Sequence, residues 1–140
     1  FILVEMPYVG QLGTSEENLL NVQNLGYVPI IAHPERMDIF QNDPELLRKF
    51  VGDGMLTQIT SGSLIGKFGD DAKLYAEAIF KEGIGHILSS DTHMADGWRA
   101  PDILRGYELL KRVVGIDKAT HIVSTNPLNI INNSSVIKFA

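Results

Sequence analysis

Four residues are of a type that ligates metal and come directly after segments that read as strands: Glu5, His33, Asp91 and His93. Their donors are oxygen and nitrogen without sulfur, a mixed set that suits manganese, iron or zinc. Asp91-Thr92-His93 is the tightest pairing, since alternate residues of an extended segment point the same way and can reach one metal cluster. Arg36 and Arg99 stand shortly after two of these residues, and planar guanidinium groups grip phosphate with paired donors. Each residue also has a plainer role open to it. Glu5 is of the type that caps a helix or pairs with a lysine, Asp91 is a helix N-cap residue, and the arginines suit surface ion pairs worth little.

The stretch Ser61 to Gly69 reads as a glycine-rich loop whose backbone donors and hydroxyls form an anion cradle ahead of a helix, or whose glycines serve a tight turn. It does not match a P-loop, which disfavours nucleotide binding. Trp98, beside Arg99, offers either an aromatic wall for a ring-bearing substrate or a packed side chain. His86 and His121 are expected to be structural or surface residues.

The elements that must position these side chains follow from apolar periodicity. Phe1 to Val4 reads as a short buried strand ending at Glu5, with a loop at Pro7 and Gly10. Ser15 caps a helix with apolar positions Leu19, Leu20, Val22 and Leu25, closed by Gly26. Tyr27 to Ala32 is a second strand, ending at His33-Pro34, where the proline keeps His33 out of the helical region. Asp43-Pro44 caps and starts a helix with Leu46, Leu47, Phe50 and Val51 inward. Met55 to Thr60 is a third strand, and Asp70 to Glu82 a helix with Leu74, Tyr75, Ala78 and Ile79 on one face. His86 to Ser90 is a fourth strand, starting on the edge opposite the ligand-type residues. A long helix follows from Pro101 to Val114, facing inward with Ile103, Tyr107, Leu110 and Val114, then short helices at Asp117 to Val123 and Asn126 to Ile131.

This alternation predicts an α/β fold with a parallel sheet and right-handed crossovers. It delivers Glu5, His33, Ser61 and the Asp91/His93 pair to one sheet edge, where β/α folds build active sites. A complete β/α barrel takes about 250 residues, so four units make either a small open sheet or part of a barrel cut before its first strands. The chain opens inside the apolar run Phe1-Ile2-Leu3-Val4, which predicts that earlier strands are missing. An exposed edge beside that run invites pairing with another copy, so self-association is expected.

Composition bounds the function. With 140 residues, 44% hydrophobic and 21% charged, residues 1–140 are expected to form a single soluble domain. The absence of cysteine excludes disulfides, thiolate metal sites and a cysteine nucleophile, and leans toward the cytoplasm. A net charge of -5 without a basic block argues against nucleic acid as a partner. The longest apolar stretches fall far short of the roughly 20 residues that span a bilayer, so neither membrane insertion nor an export signal is expected.

Three segments together resemble a known family: His33-Pro34-Glu35-Arg36, Gln58 to Gly69 with its Ser63-Leu64-x-Gly66-x-Phe68-Gly69 core, and Ser90-Asp91-Thr92-His93 followed by Arg99-x-Pro101. The sequence is similar over essentially its whole length to the bacterial polymerase-and-histidinol-phosphatase superfamily. Within it, the resemblance is to metal-dependent tyrosine-protein phosphatases of capsule and exopolysaccharide gene clusters. It implies the C-terminal portion of a distorted β/α barrel, because the family opens with a His-x-His motif on strands that would precede Phe1. It also implies a manganese-preferring, trinuclear metal site with Glu5, His33, Asp91 and His93 among its ligands, and Arg36 and Arg99 holding the phosphate. The implied reaction is hydrolysis of phosphotyrosine by a metal-activated hydroxide, the implied partner a bacterial tyrosine autokinase. The alternatives are a phosphoesterase acting on a small metabolite such as histidinol phosphate, a metal-dependent amidohydrolase, and a non-catalytic module that binds a kinase or its tail. Two departures stand in the last segment: Met94 follows His93 where the family usually has Asn, and the stretch to Arg99 is about one residue longer.

Overall fold

The structure, a computed structural model, describes residues 1–7 and 15–139. Four strands, β1 (Ile2–Val4), β2 (Pro29–Ala32), β3 (Leu56–Thr60) and β4 (Ile87–Ser89), form one sheet in the order β1-β2-β3-β4. All three pairings are parallel, with Val4 opposite Ile31, Ala32 opposite Gln58 and Thr60 opposite Ser89. Because every strand runs the same way, the residues after β1, β2, β3 and β4 emerge on a common edge. The expected α/β fold with a parallel sheet is what the described residues form.

Helices connect and cover the strands: α1 (Ser15–Asn24), α2 (Asp38–Asn42), α3 (Pro44–Gly52), α4 (Ser61–Ile65), α5 (Asp70–Lys81), α6 (Ile103–Val114), α7 (Ile116–Thr120) and α8 (Asn126–Ile131). The main core lies between one sheet face, through Ile31, Ile59 and Leu88, and helix residues such as Phe40, Leu47, Phe50, Ile79 and Leu110. Ile30, Leu56 and Ile87, one residue out of phase, gather a smaller cluster with Phe1, Val28, Ile130 and Val136. The alternation is that of a strand burying both faces.

Several expectations are corrected. β1 is not buried, since Ile2 and Leu3 are 37% and 55% exposed; it lies at the end of the sheet with one partner strand among the described residues. In α1 only Leu19 of the expected stripe is buried, while Leu20 and Leu25 face solvent. The inward face of α5 is Ala72, Ala76, Ile79 and Phe80, with Leu74 exposed; the small alanines let the helix sit closer than the leucine would. Asp43 stands at the α3 N-cap without a side-chain capping bond. The two expected terminal helices are one helical run, joined by a π-helical stretch at His121–Thr125 just before Pro127, whose missing N–H leaves the ladder one donor short. Gly10 and the capping side chain of Ser15 lie outside the described residues.

The largest correction concerns Ser61 to Gly69. Instead of a loop, its first half is α4, buried at Ser61, Gly62, Ser63 and Leu64. Gly62 answers to packing, since a Cβ there would stand 2.8 Å from the Phe68 ring, while Gly66, left-handed at φ 89°, closes α4 in the tight turn the glycines were also expected to serve. At the facing position of α6, a Cβ on Gly106 would lie 2.5 Å from the Ser61 Cβ. The α4–α6 crossing is therefore closed by small residues. Two of its backbone donors are also committed, Lys67 N–H to Gly62 and Gly66 N–H to Ser63, and the Ser61 hydroxyl is buried rather than open to an anion. The stretch is thus no open anion cradle.

Candidate functional site

At the edge where the strands end, β1 and β2 present Glu5 and His33. The Nε2 of His33 lies 3.3 Å from Oε1 of Glu5, the imidazole buried and the carboxylate largely exposed. His33 adopts a left-handed backbone, φ 37° and ψ 52°, before Pro34, which disfavours right-handed helix at that position. Asp91, after β4, is also left-handed at φ 49°. Non-glycine residues seldom hold this conformation unless their surroundings fix it, and such positions cluster at functional sites. Burial lowers the pKa of His33, helped by the nearby Arg36 guanidinium and opposed by the charges of Asp91 and Glu5.

Asp91 is the hub of the second half of the site. Its Oδ2 accepts from Arg36 Nη1 at 3.1 Å and from Arg99 Nη2 at 2.9 Å. Arg99 Nη2 also reaches the Asp91 carbonyl at 3.1 Å. His93 Nδ1 lies 3.8 Å from Asp91 Oδ1, 2.9 Å from the Asp91 carbonyl and 2.7 Å from Arg99 Nη2. Protonated at Nδ1 the ring donates to the carbonyl; unprotonated there, it accepts from Arg99. The left-handed turn at Asp91, rather than regular extended alternation, brings Asp91 and His93 together. The N-cap role for Asp91 is excluded, because the next helix begins at Ile103.

Beneath these residues lies one that sequence reasoning quoted only within a motif. Glu35, in the 3-10 turn Pro34–Arg36, is fully buried. Its Oε1 accepts from the Thr60 N–H at 3.0 Å and the Ser63 hydroxyl at 2.6 Å. The turn carrying His33 and Arg36 is thereby tied to the junction of β3 and α4. Burial outweighs these donors and pushes the carboxyl up to about 7. A carboxylate between a ligand-type histidine and an arginine, just past a strand, was the available signal; sequence alone did not say which way it points.

The structure thus brings Arg36, Asp91, His93 and Arg99 into one contact network and sets Glu5 and His33 beside it as a pair. Trp98, 56% exposed, belongs to the rim rather than the core. Among the described residues no three His, Asp or Glu side chains converge on one metal position. The donors fit a metal by type: two carboxylates and two imidazoles in two neighbouring pairs, oxygen and nitrogen only. Any metal on Asp91 would share that carboxylate with the two guanidiniums.

Comparison with known proteins bears on this edge. A family model described as "Capsular polysaccharide synthesis, CpsB/CapC" matches residues 1–132. The chain is 38% identical over 93 residues to the tyrosine-protein phosphatase YwqE of Bacillus subtilis, covering 66% of this chain and 37% of that protein. It is 31% identical over 136 residues to the tyrosine-protein phosphatase CpsB of Streptococcus pneumoniae, covering 94% of this chain and 56% of that one. Its fold superposes with a TM-score of 0.89 and 28% identity on a chain from the crystal structures of YwqE from Bacillus subtilis and CpsB from Streptococcus pneumoniae, described as unique metal-dependent tyrosine phosphatases; 99% of this chain and 55% of that chain are covered. The chain spans between about a third and just over half of the length of these relatives.

Proposed function

The chain belongs to the CpsB/CapC family of capsular polysaccharide synthesis, and from that premise we propose that it carries part of the active site of a metal-dependent protein-tyrosine phosphatase. The observation that supports this most is the meeting of Arg36 and Arg99 on Asp91, beside the His33–Glu5 pair, at the C-terminal edge of a parallel sheet. In this reading residues 1–140 are a single domain, the C-terminal portion of a distorted β/α barrel of the polymerase-and-histidinol-phosphatase type. Its substrate is a phosphotyrosine protein, a bacterial tyrosine autokinase of capsule or exopolysaccharide synthesis, in the cytoplasm. No described helix is long and apolar enough to cross a membrane.

Glu5, His33, Asp91 and His93 would hold the metal, manganese by preference. The chemistry such a metal supplies is a water ionised near neutral pH and positive charge for the phosphoryl oxygens. Arg36 and Arg99 bind the phosphate and take up charge as it develops on the departing phosphoryl group. Asp91 holds the two like-charged guanidiniums side by side. The leaving phenol, with a pKa of about 10, needs less protonation than an aliphatic alcohol would.

The test pairs metal content with manganese-dependent release of phosphate from a phosphotyrosine peptide, on this chain and on one extended upstream. Several metals and turnover in the extended chain, with weaker activity on small phosphomonoesters and none on amides, support the reading. An extended chain that binds no metal refutes it.

A further inference from the structure

We propose that Phe68 is a positioning residue for the phosphate-gripping arginines, an inference that rests on the phosphatase reading above. The guanidinium carbon of Arg36 lies 4.4 Å from the centroid of the Phe68 ring, and that of Arg99 6.0 Å. The same ring meets Trp98 edge-on, with centroids 5.3 Å apart. It is seated on Gly62, where any side chain would begin 2.8 Å from its Cε2. Phe68 is thus wedged between α4 and the loop that carries Arg99, with both site arginines within reach of its π face.

The physical need for such a shelf follows from the charges. Arg36 and Arg99 repel each other, and a single carboxylate oxygen of Asp91 bonds both. A phosphate competing for their N–H groups would loosen that link. An aromatic face attracts a guanidinium through its quadrupole and takes none of its in-plane N–H donors. Phe68 therefore holds the cation in place whether its donors point at Asp91 or at phosphate, which a second carboxylate could not do without consuming them. The absence of a side chain at Gly62 is the complement of this: it lets the ring lie low enough for the arginine to pass over it.

The experiment follows the Arg36 Nε–Hε resonance by NMR and titrates inorganic phosphate into the folded chain. The variants are Phe68→Leu, Phe68→Tyr, Gly62→Ala and Arg36→Ala. A guanidinium over a ring face is shifted upfield in the wild type. Phe68→Leu is expected to abolish that shift and weaken phosphate binding about threefold to tenfold, while Phe68→Tyr keeps both. Gly62→Ala, which displaces the ring without removing it, is expected to move the resonance and weaken binding in the same direction. Phosphate affinity unchanged in Phe68→Leu, while Arg36→Ala abolishes it, overturns the positioning role and leaves the phosphatase reading standing. Wild-type affinity for phosphate that Arg36→Ala does not alter overturns the arginine's phosphate role, and the shelf with it.

Discussion

The two edges of the sheet both bury titratable groups, His86 at one and His33 and Glu35 at the other, and treat them differently. At the edge where the strands begin, His86 is buried with its Nδ1 accepting from the Thr57 N–H at 3.1 Å, while its backbone N–H donates to Thr57 Oγ1 at 3.3 Å. Asn126 closes that region, donating to the His86 and Ile137 carbonyls and accepting from the Ile137 N–H. These bonds run to backbone groups of neighbouring elements, and the result is a fastening. At the edge where the strands end, buried Glu35 also ties two elements together, but above it stand left-handed His33 and Asp91 and four charged or ligating side chains in mutual contact. A fold needs buried polar groups satisfied; it does not need two arginines on one aspartate. That excess of charge separates a site from a fastening.

The comparison breaks first at Asp91. Asp91→Ala in a chain of the family's full length is expected to lower phosphotyrosine hydrolysis by about 100-fold or more, because metal affinity and the spacing of Arg36 and Arg99 fall together; His86→Gln is expected to leave turnover within about twofold. Steady-state rates and metal content decide it, and equal losses in both variants erase the distinction between the edges.

On stability rather than rate, the larger effect belongs to Glu35→Ala, which leaves the Thr60 N–H and Ser63 hydroxyl buried without their acceptor. It is expected to cost about 4 kcal/mol in denaturant unfolding. Glu35→Gln, which keeps an acceptor oxygen, is expected to cost less than half as much.

A smaller effect on stability than that of Glu35→Ala belongs to the protonation of His86. Burial, assisted by the charge of Lys138, lowers its pKa from 6.5 to about 4. With the folded value below the unfolded one, its contribution is fully present above pH 6.5 and is lost as pH falls through about 4. Wild type is expected to lose about 3 kcal/mol more than His86→Gln between pH 7 and pH 4. Parallel unfolding profiles for the two proteins refute this.

Much of the architecture was legible because apolar runs end abruptly at polar residues. Val4 before Glu5 and Ala32 before His33 mark strand ends whatever the rest of the chain does, and the run Ile87-Leu88 closes on two serines just ahead of Asp91. What stayed hidden depends on contacts distant in sequence. Gly62 reads as a loop residue until Phe68 is seen lying on it, and Gly106 as a helix defect until Ser61 is found against it. The exposure of Leu3 depends on what pairs with β1, and the rotation of α5 on how closely its alanines approach. Glu35 was hidden for another reason: a charged residue in a turn is exposed by default, and only its two donors make burial tolerable.

Whether the edge where the strands end is the metal and phosphate site is decided by titrating manganese into a chain of the family's full length while the histidine ring signals are followed by NMR. Paramagnetic broadening at substoichiometric manganese is expected to remove the His33 and His93 signals first, with His86 persisting to higher concentration. Broadening that reaches His86 as early as His33, or leaves all of them sharp, contradicts the account.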